Sequence, residues 1–169
     1  MDGKKRKGAN NLFLDRPEVL TLLISMLPIA ELRGGLPFAL AKGISPLKAY
    51  FLSVAGNLIP VIPLFLLLKF FSDFIKRHSK GKALLEWVET RVGRKKELVR
   101  RYGLAGVILL VAVPLPVTGA WTGTLVSFLL LIRLRYAFPA ICLGVCLAGL
   151  IVLLISLGIM EGIRIFVGM

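Results

Sequence analysis

Two interruptions of apolar sequence contain the residue types that could do chemistry in this chain. The first is Glu31 to Pro37, Glu-Leu-Arg-Gly-Gly-Leu-Pro, and the second is Pro114 to Gly123, Pro-Leu-Pro-Val-Thr-Gly-Ala-Trp-Thr-Gly. A carboxylate or a guanidinium at bilayer depth costs roughly 2.5 to 3.5 kcal/mol and persists only where it faces protein or water. We therefore interpret the two breaks as the candidate working site.

Glu31 is the candidate for proton exchange. A carboxylate sheltered from water holds a proton more readily, and a neighbouring guanidinium opposes that effect. Because Arg33 lies only two residues away, Glu31 could be balanced between the two protonation states. The alternative is a salt bridge between Glu31 and Arg33 that only holds the segment together.

Several residues of the breaks and their neighbours could bind a substrate. A guanidinium pairs with phosphate or carboxylate through two hydrogen bonds, and helix starts near Gly35 and Gly123 would offer backbone N–H groups to an anion. Threonine hydroxyls could contact a ligand or cap their own helices, and an indole offers a face to a cation or an apolar tail. The binding candidates are Arg33, Gly34, Gly35, Asn57, Thr118, Gly119, Trp121, Thr122, Arg133 and Arg135.

The composition indicates a multi-pass membrane protein. Hydrophobic residues make up 57% of the 169 positions, in runs too long for a soluble core of this size. The net charge of +13 comes from basic residues that flank the apolar runs, where they would meet anionic lipid and set the topology. Nucleic-acid binding is therefore not expected, and no cleavable signal peptide is predicted.

No cofactor, metal or enzymatic centre is predicted. Cys142 and Cys146 lie four residues apart in an apolar run, and the only histidine is His78. This is a poor metal-ligand set, and the chain offers no nucleophile with a partner base and no phosphate-binding loop. The prediction is a protein that is not an enzyme.

The order of apolar and polar segments predicts an all-α fold. A basic tail is followed by a first repeat and, after a basic amphipathic connector at the membrane surface, by a second repeat. Each repeat contains a broken apolar segment and one complete transmembrane helix, and Pro60 and Pro63 predict a kink in the first of these helices. The predicted segments are 1–18 (tail), 19–71 (first repeat; hairpin 19–41, helix 46–71), 72–101 (connector) and 102–169 (second repeat; hairpin 104–132, helix 136–160).

An internal repeat supports this division. Pro28 and Tyr50 are separated by the same number of residues as Pro114 and Tyr136. If each broken segment dips into the membrane and returns, a repeat crosses once, so its copy enters from the opposite face. Inverted repeats with broken helices are a recurrent transporter architecture.

Four complete crossings are the alternative topology. The distribution of Lys and Arg between the loops favours four crossings under the positive-inside rule. Against it, a single helix over 104–132 would be about 43 Å long and would carry two prolines and two glycines near its middle. We favour re-entrant hairpins.

At the two breaks the chain resembles the small multi-drug export protein family of prokaryotic membrane proteins. The resemblance rests on the Glu-Leu-Arg-Gly-Gly-Leu-Pro segment and on the Pro and Thr-Gly-Ala-Trp-Thr-Gly residues of 114–123. That family is distantly similar to the DedA and SNARE-associated Golgi group, which implies two facing re-entrant hairpins and movement of lipids, including polyprenyl phosphates. In DedA-like proteins an Arg follows the second turn, whereas this chain has Ala120, Trp121 and Thr122.

Together these features predict a gradient-coupled transporter or lipid flippase of the prokaryotic plasma membrane. Its substrate would be a small amphipathic molecule or a lipid phosphate, bound between the two hairpins with Glu31 as the coupling group. Membrane lipids and a second copy of the chain are the expected partners. The alternatives are a passive lipid scramblase, a four-span proton-coupled multidrug exporter and a membrane protein without transport activity.

Overall fold

The computed structural model describes residues 16–75, 96–114 and 118–167, with side chains described in 16–72, 102–114 and 118–162. Over these ranges every regular element is an α-helix, and no strand occurs in them. The helices are α1 (Pro17–Met26), α2 (Glu31–Ala41), α3 (Pro46–Leu58), α4 (Val61–Ile75), α5 (Lys96–Ala112), α6 (Ala120–Leu129) and α7 (Leu134–Val167). The basic tail before residue 16, His78 and most of the predicted connector lie outside the described residues.

The breaks lie earlier than the sequence predicted. Glu31 to Pro37 is helical and forms the first two turns of α2, so the prediction of an irregular segment there was wrong. The actual interruption follows Met26, because a proline disfavours helical geometry in the residue before it and Leu27, just before Pro28, is extended. In the second half the helix likewise stops before Pro114 and resumes at Ala120, which makes Trp121, Thr122 and Gly123 helical as well.

Two helical stretches are long and apolar enough to cross a membrane. They are Pro46–Ser72, with 27 residues, and Leu134–Gly162, with 29 residues. A turn at 59–60 divides the first stretch into α3 and α4, in the region where the sequence predicted a kink. The shorter apolar helices α1 and α6 have 10 residues each, or about 15 Å, half of the hydrocarbon thickness.

The chain divides into two compact units. In the described residues, unit 1 contains α1, α2, α3 to Asn57 and α7 from Gly149. Unit 2 contains α4, α5, α6 and α7 up to Ala148. Each unit therefore holds one short helical pair, the beginning of the long helix that follows this pair, and the end of the other long helix.

In unit 1 the short helices α1 and α2 fold back on each other. A Cβ added to Gly35 would collide with Ser25 Oγ and lie 3.0 Å from the Thr21 carbonyl oxygen. Because a side chain there would displace α1, glycine permits this close approach. α3 then packs on the same face of α1, since a Cβ on Gly56 would lie 2.6 Å from the Leu22 carbonyl oxygen.

Unit 2 repeats these contacts. A Cβ added to Gly123 of α6 would collide with Val111 of α5, and one added to Gly144 of α7 would lie 3.0 Å from the Ile108 carbonyl oxygen. Gly35 and Gly56 thus correspond to Gly123 and Gly144.

The ends of α2 and α6 are the same structural motif. After α2 the N–H of Ile44 donates to the Ala39 carbonyl and the N–H of Gly43 to the Leu40 carbonyl, both at 3.0 Å. After α6 the N–H of Ile132 donates to Ser127 at 2.9 Å and that of Leu131 to Phe128 at 3.0 Å. This is the Schellman pattern, in which the residue after the cap is left-handed, as Gly43 (φ 78°) and Leu131 (φ 56°) are.

The structural equivalence differs from the alignment on proline and tyrosine. With Gly43 on Leu131 and Gly56 on Gly144, Tyr50 corresponds to Phe138 and not to Tyr136. More residues separate α5 from α6 than separate α1 from α2, which shifts every later position.

Candidate functional site

Glu31 is a buried carboxylate at the start of α2. The residue is 6% exposed, and its N–H donates to the Leu27 carbonyl at 2.9 Å across the turn. Its φ of 48° lies in the left-handed region, which costs a non-glycine residue roughly 1 to 2 kcal/mol. Burial therefore disfavours a carboxylate at this position, and the backbone conformation disfavours most residues other than glycine.

Arg33 lies in the first turn of α2, as Glu31 does. It is half-buried and interacts electrostatically with Glu31. A negative charge in the first turn of a helix is also stabilised by the helix dipole. The sequence-predicted pair is therefore brought together, with the acid more deeply buried than the guanidinium. Such a pair can hold a proton, or it can hold an anion on the arginine while the acid is protonated.

Gly34 and Gly35 serve packing. A Cβ on Gly34 would lie 2.9 Å from the Ala30 Cβ, and Gly35 lies against α1 as described above. The space beside Gly35 is filled by Ser25, whose hydroxyl donates to the Thr21 carbonyl at 2.8 Å. The start of α2, predicted near Gly35, lies at Glu31.

Asn57 and Ser53 form a polar patch on α3 that lacks partners. They are 1% and 0% exposed, and within the described residues neither the Asn57 amide atoms nor Ser53 Oγ have a hydrogen-bond partner. The sequence analysis identified Asn57 as a binding candidate, which stays a prediction. Ser53 was missed, although a serine one helical turn before Asn57 was the available signal.

The second break contains weaker chemistry. Thr118 donates its hydroxyl to the Val113 carbonyl at 3.0 Å and so bridges the two sides of the break. Gly119 is buried and extended and precedes α6, while Trp121 and Thr122 are half-buried in its first turn. No acidic or basic side chain occurs among the described residues of this break.

Arg133 and Arg135 lie beyond the other end of α6. They are exposed, and α6 places them about 15 Å from Gly119. The Arg135 guanidinium lies 4.7 Å from the centre of the Tyr136 ring, and the Arg133 carbonyl accepts hydrogen bonds from the first turn of α7. Neither arginine is brought to the second break.

An ion pair in unit 1 joins the start of α1 to the start of α3. Lys48 near the start of α3 donates to Glu18 near the start of α1 at 3.0 Å. This hydrogen bond holds the pKa of the Glu18 carboxyl below its ordinary value. Because α2 ends at Ala41, shortly before Lys48, the start of α1 and the end of α2 lie at the same end of the unit.

Comparison with known proteins identifies one family. The profile of the family described as "Putative small multi-drug export protein" matches residues 31–151, which include the whole of α2 with Glu31 and the second break. No curated protein and no solved structure shows a significant match.

Proposed function

Since the chain belongs to the small multi-drug export protein family, we propose that it is a membrane transporter that uses Glu31 as its proton-coupling residue. The family and the two long apolar helices make it a membrane protein, and the family description favours transport over catalysis. The observation that carries the role of Glu31 is its position. A buried carboxylate in an apolar helical pair is a functional candidate, and backbone strain such as its positive φ is concentrated at functional sites.

We further propose that the short helical pairs are re-entrant hairpins that form an inverted repeat. The ion pair between Glu18 and Lys48 supports the first hairpin, because four crossings would separate the start of α1 from the end of α2 by a membrane thickness. The 10-residue length of α1 also supports it, since about 20 helical residues are needed to span. The recurrence of the same contacts in unit 2 supports a repeat.

The proposed substrate is a small amphipathic molecule or a lipid phosphate. Half-buried Arg33 beside Glu31 could pair with an anionic headgroup while Glu31 is protonated. Four further points stay predictions: substrate binding by Thr118, Trp121 and Thr122, a passage shared by the two hairpins, a homodimer, and a location in the prokaryotic plasma membrane.

Reconstitution tests the coupling role. Proteoliposomes are prepared with the wild type, with Glu31→Gln or with the matched control Glu161→Gln, which changes an exposed acid of α7. Transport of a cationic dye, a phospholipid and a polyprenyl phosphate is then measured with and without a pH gradient. We expect the wild type and Glu161→Gln to transport one of the three substrates faster when the pH gradient is present. In Glu31→Gln this gradient-dependent increase in rate should be at least tenfold smaller. Unfolding curves check that the variants are folded. Undiminished gradient-driven transport by Glu31→Gln would exclude the carboxylate as coupling group, and equal transport without a gradient would indicate a passive scramblase.

A further inference from the structure

Unit 1 contains two buried polar side chains that no part of the proposed transport chemistry explains. Ser53 and Asn57 lie one turn apart on α3, closed to the surface, and their three polar side-chain atoms lack hydrogen bonds to any described residue, including each other. An unpaired buried amide or hydroxyl costs about 1 to 3 kcal/mol. Such groups in a folded protein require an explanation, which is commonly a bound water or ligand.

The fold itself does not require polar residues at these positions. In the equivalence that places Gly56 on Gly144, Ser53 corresponds to Ile141 and Asn57 to Val145. Both of these residues are 0% exposed and apolar. The same packing position therefore accepts a hydrocarbon side chain in unit 2, so Ser53 and Asn57 are not needed to build the helix contact.

The hydrogen-bonding capacity of the pair restricts the ligand. Asn57 offers one donor group and one acceptor, and Ser53 offers a hydroxyl that can do either. A cation would leave the amide N–H₂ unpaired and an anion would leave the amide oxygen unpaired. The ligand must therefore be neutral, and it must both donate and accept.

The burial restricts its size. Because Ser53 and Asn57 are 0% and 1% exposed, a ligand present in this state has to be very small. Internal waters typically make about three hydrogen bonds to polar groups that would otherwise be unpaired, and the pair presents three such atoms. From these observations we propose that Ser53 and Asn57 form an internal water-binding site in unit 1.

Solid-state NMR in lipid bilayers tests this site without using transport activity. The chain has three asparagines, Asn10, Asn11 and Asn57, so Asn10→Ser and Asn11→Ser combined with ¹⁵N-asparagine labelling leave Asn57 as the only labelled side-chain amide. We expect magnetisation to pass from water to the Asn57 amide nitrogen within milliseconds. The substitution Ser53→Ile, which introduces the residue of unit 2, should abolish this transfer.

Ser127→Ala is the matched control. Ser127 in unit 2 is also fully buried and its hydroxyl lacks a partner among the described residues, but it corresponds to Ala39 and lies on α6. This substitution should leave the Asn57 signal unchanged. If Ser53→Ile does not fold, as judged by its unfolding curve, Ser53→Val removes the same hydroxyl. The proposal is overturned if the wild-type amide receives no magnetisation from water, or if the transfer survives the loss of the Ser53 hydroxyl.

Discussion

The two units are built from the same backbone contacts but have different interiors. In unit 1 the helix faces around Gly35 and Gly56 carry Thr21, Ser25 and Asn57, all buried and polar. The residues of unit 2 that correspond to these three are Val107, Val111 and Val145, whereas the buried polar residues of its α6 are Thr124 and Ser127. Both units have glycine at the close helix approaches, so the fold needs glycine there. The fold does not need polar residues at the three compared positions, because unit 2 has valine at each of them.

The same contrast holds at the two breaks. With Gly43 placed on Leu131, Glu31 corresponds to Gly119 and Arg33 to Trp121. A helix thus starts after the turn in both units, but only unit 1 supplies charge at this start. The two positions also differ in backbone conformation, since Glu31 has a φ of 48° and Gly119 is extended.

The prediction with the largest expected effect concerns the side of the membrane on which residues 42 and 133 lie. Single cysteines are introduced as Lys42→Cys and Arg133→Cys after Cys142 and Cys146 are replaced by alanine. If both hairpins are re-entrant, a membrane-impermeant thiol reagent should label position 42 from the side of the amino terminus and position 133 only from the other side. Labelling of both positions from the side opposite the amino terminus would establish four crossings and remove the inverted relationship between the units.

The next prediction tests whether alanine at Gly56 and at Gly144 destabilises the protein by the same amount. Gly56→Ala and Gly144→Ala each place a Cβ 2.6 Å from an atom of a preceding helix, so we expect each to cost about 1 to 3 kcal/mol of stability. Gly106→Ala is the control, because a Cβ there meets nothing within 4 Å. Unfolding in detergent measures all three. A cost at only one of the two glycines would show that the two interfaces are not equivalent.

Much of this architecture could be predicted from the sequence. The long helices follow from apolar runs, the kink from Pro60, and the ends of α1 and α5 from Pro28 and Pro114, because these effects are local. Glu31 and Arg33 could be singled out because charge is rare in apolar sequence. These inferences need no knowledge of which helix packs on which.

What could not be predicted depends on packing. Gly34, Gly35 and Pro37 resemble a broken segment, yet they are helical, because glycine there permits α2 to lie against α1. Ser53 resembles an ordinary helix residue until its burial is known. The correspondence of Gly43 with Leu131 was also hidden, since a left-handed cap is not expected at leucine.

That cap provides the smallest and most direct comparison of the two units. Gly43 and Leu131 occupy the same left-handed position (φ 78° and 56°), where leucine is strained and glycine is not. Leu131→Gly should therefore stabilise the protein by about 1 kcal/mol, and Gly43→Leu should destabilise it by a similar amount. Leu131 is 46% exposed and a Cβ on Gly43 meets nothing within 4 Å, so neither change is dominated by packing.

Unfolding midpoints of the two variants and of the double exchange measure the effect. Because the two strains are independent, the double exchange should return the midpoint close to that of the wild type, whereas a loss of stability in Leu131→Gly would show that the leucine side chain contributes more than its backbone costs.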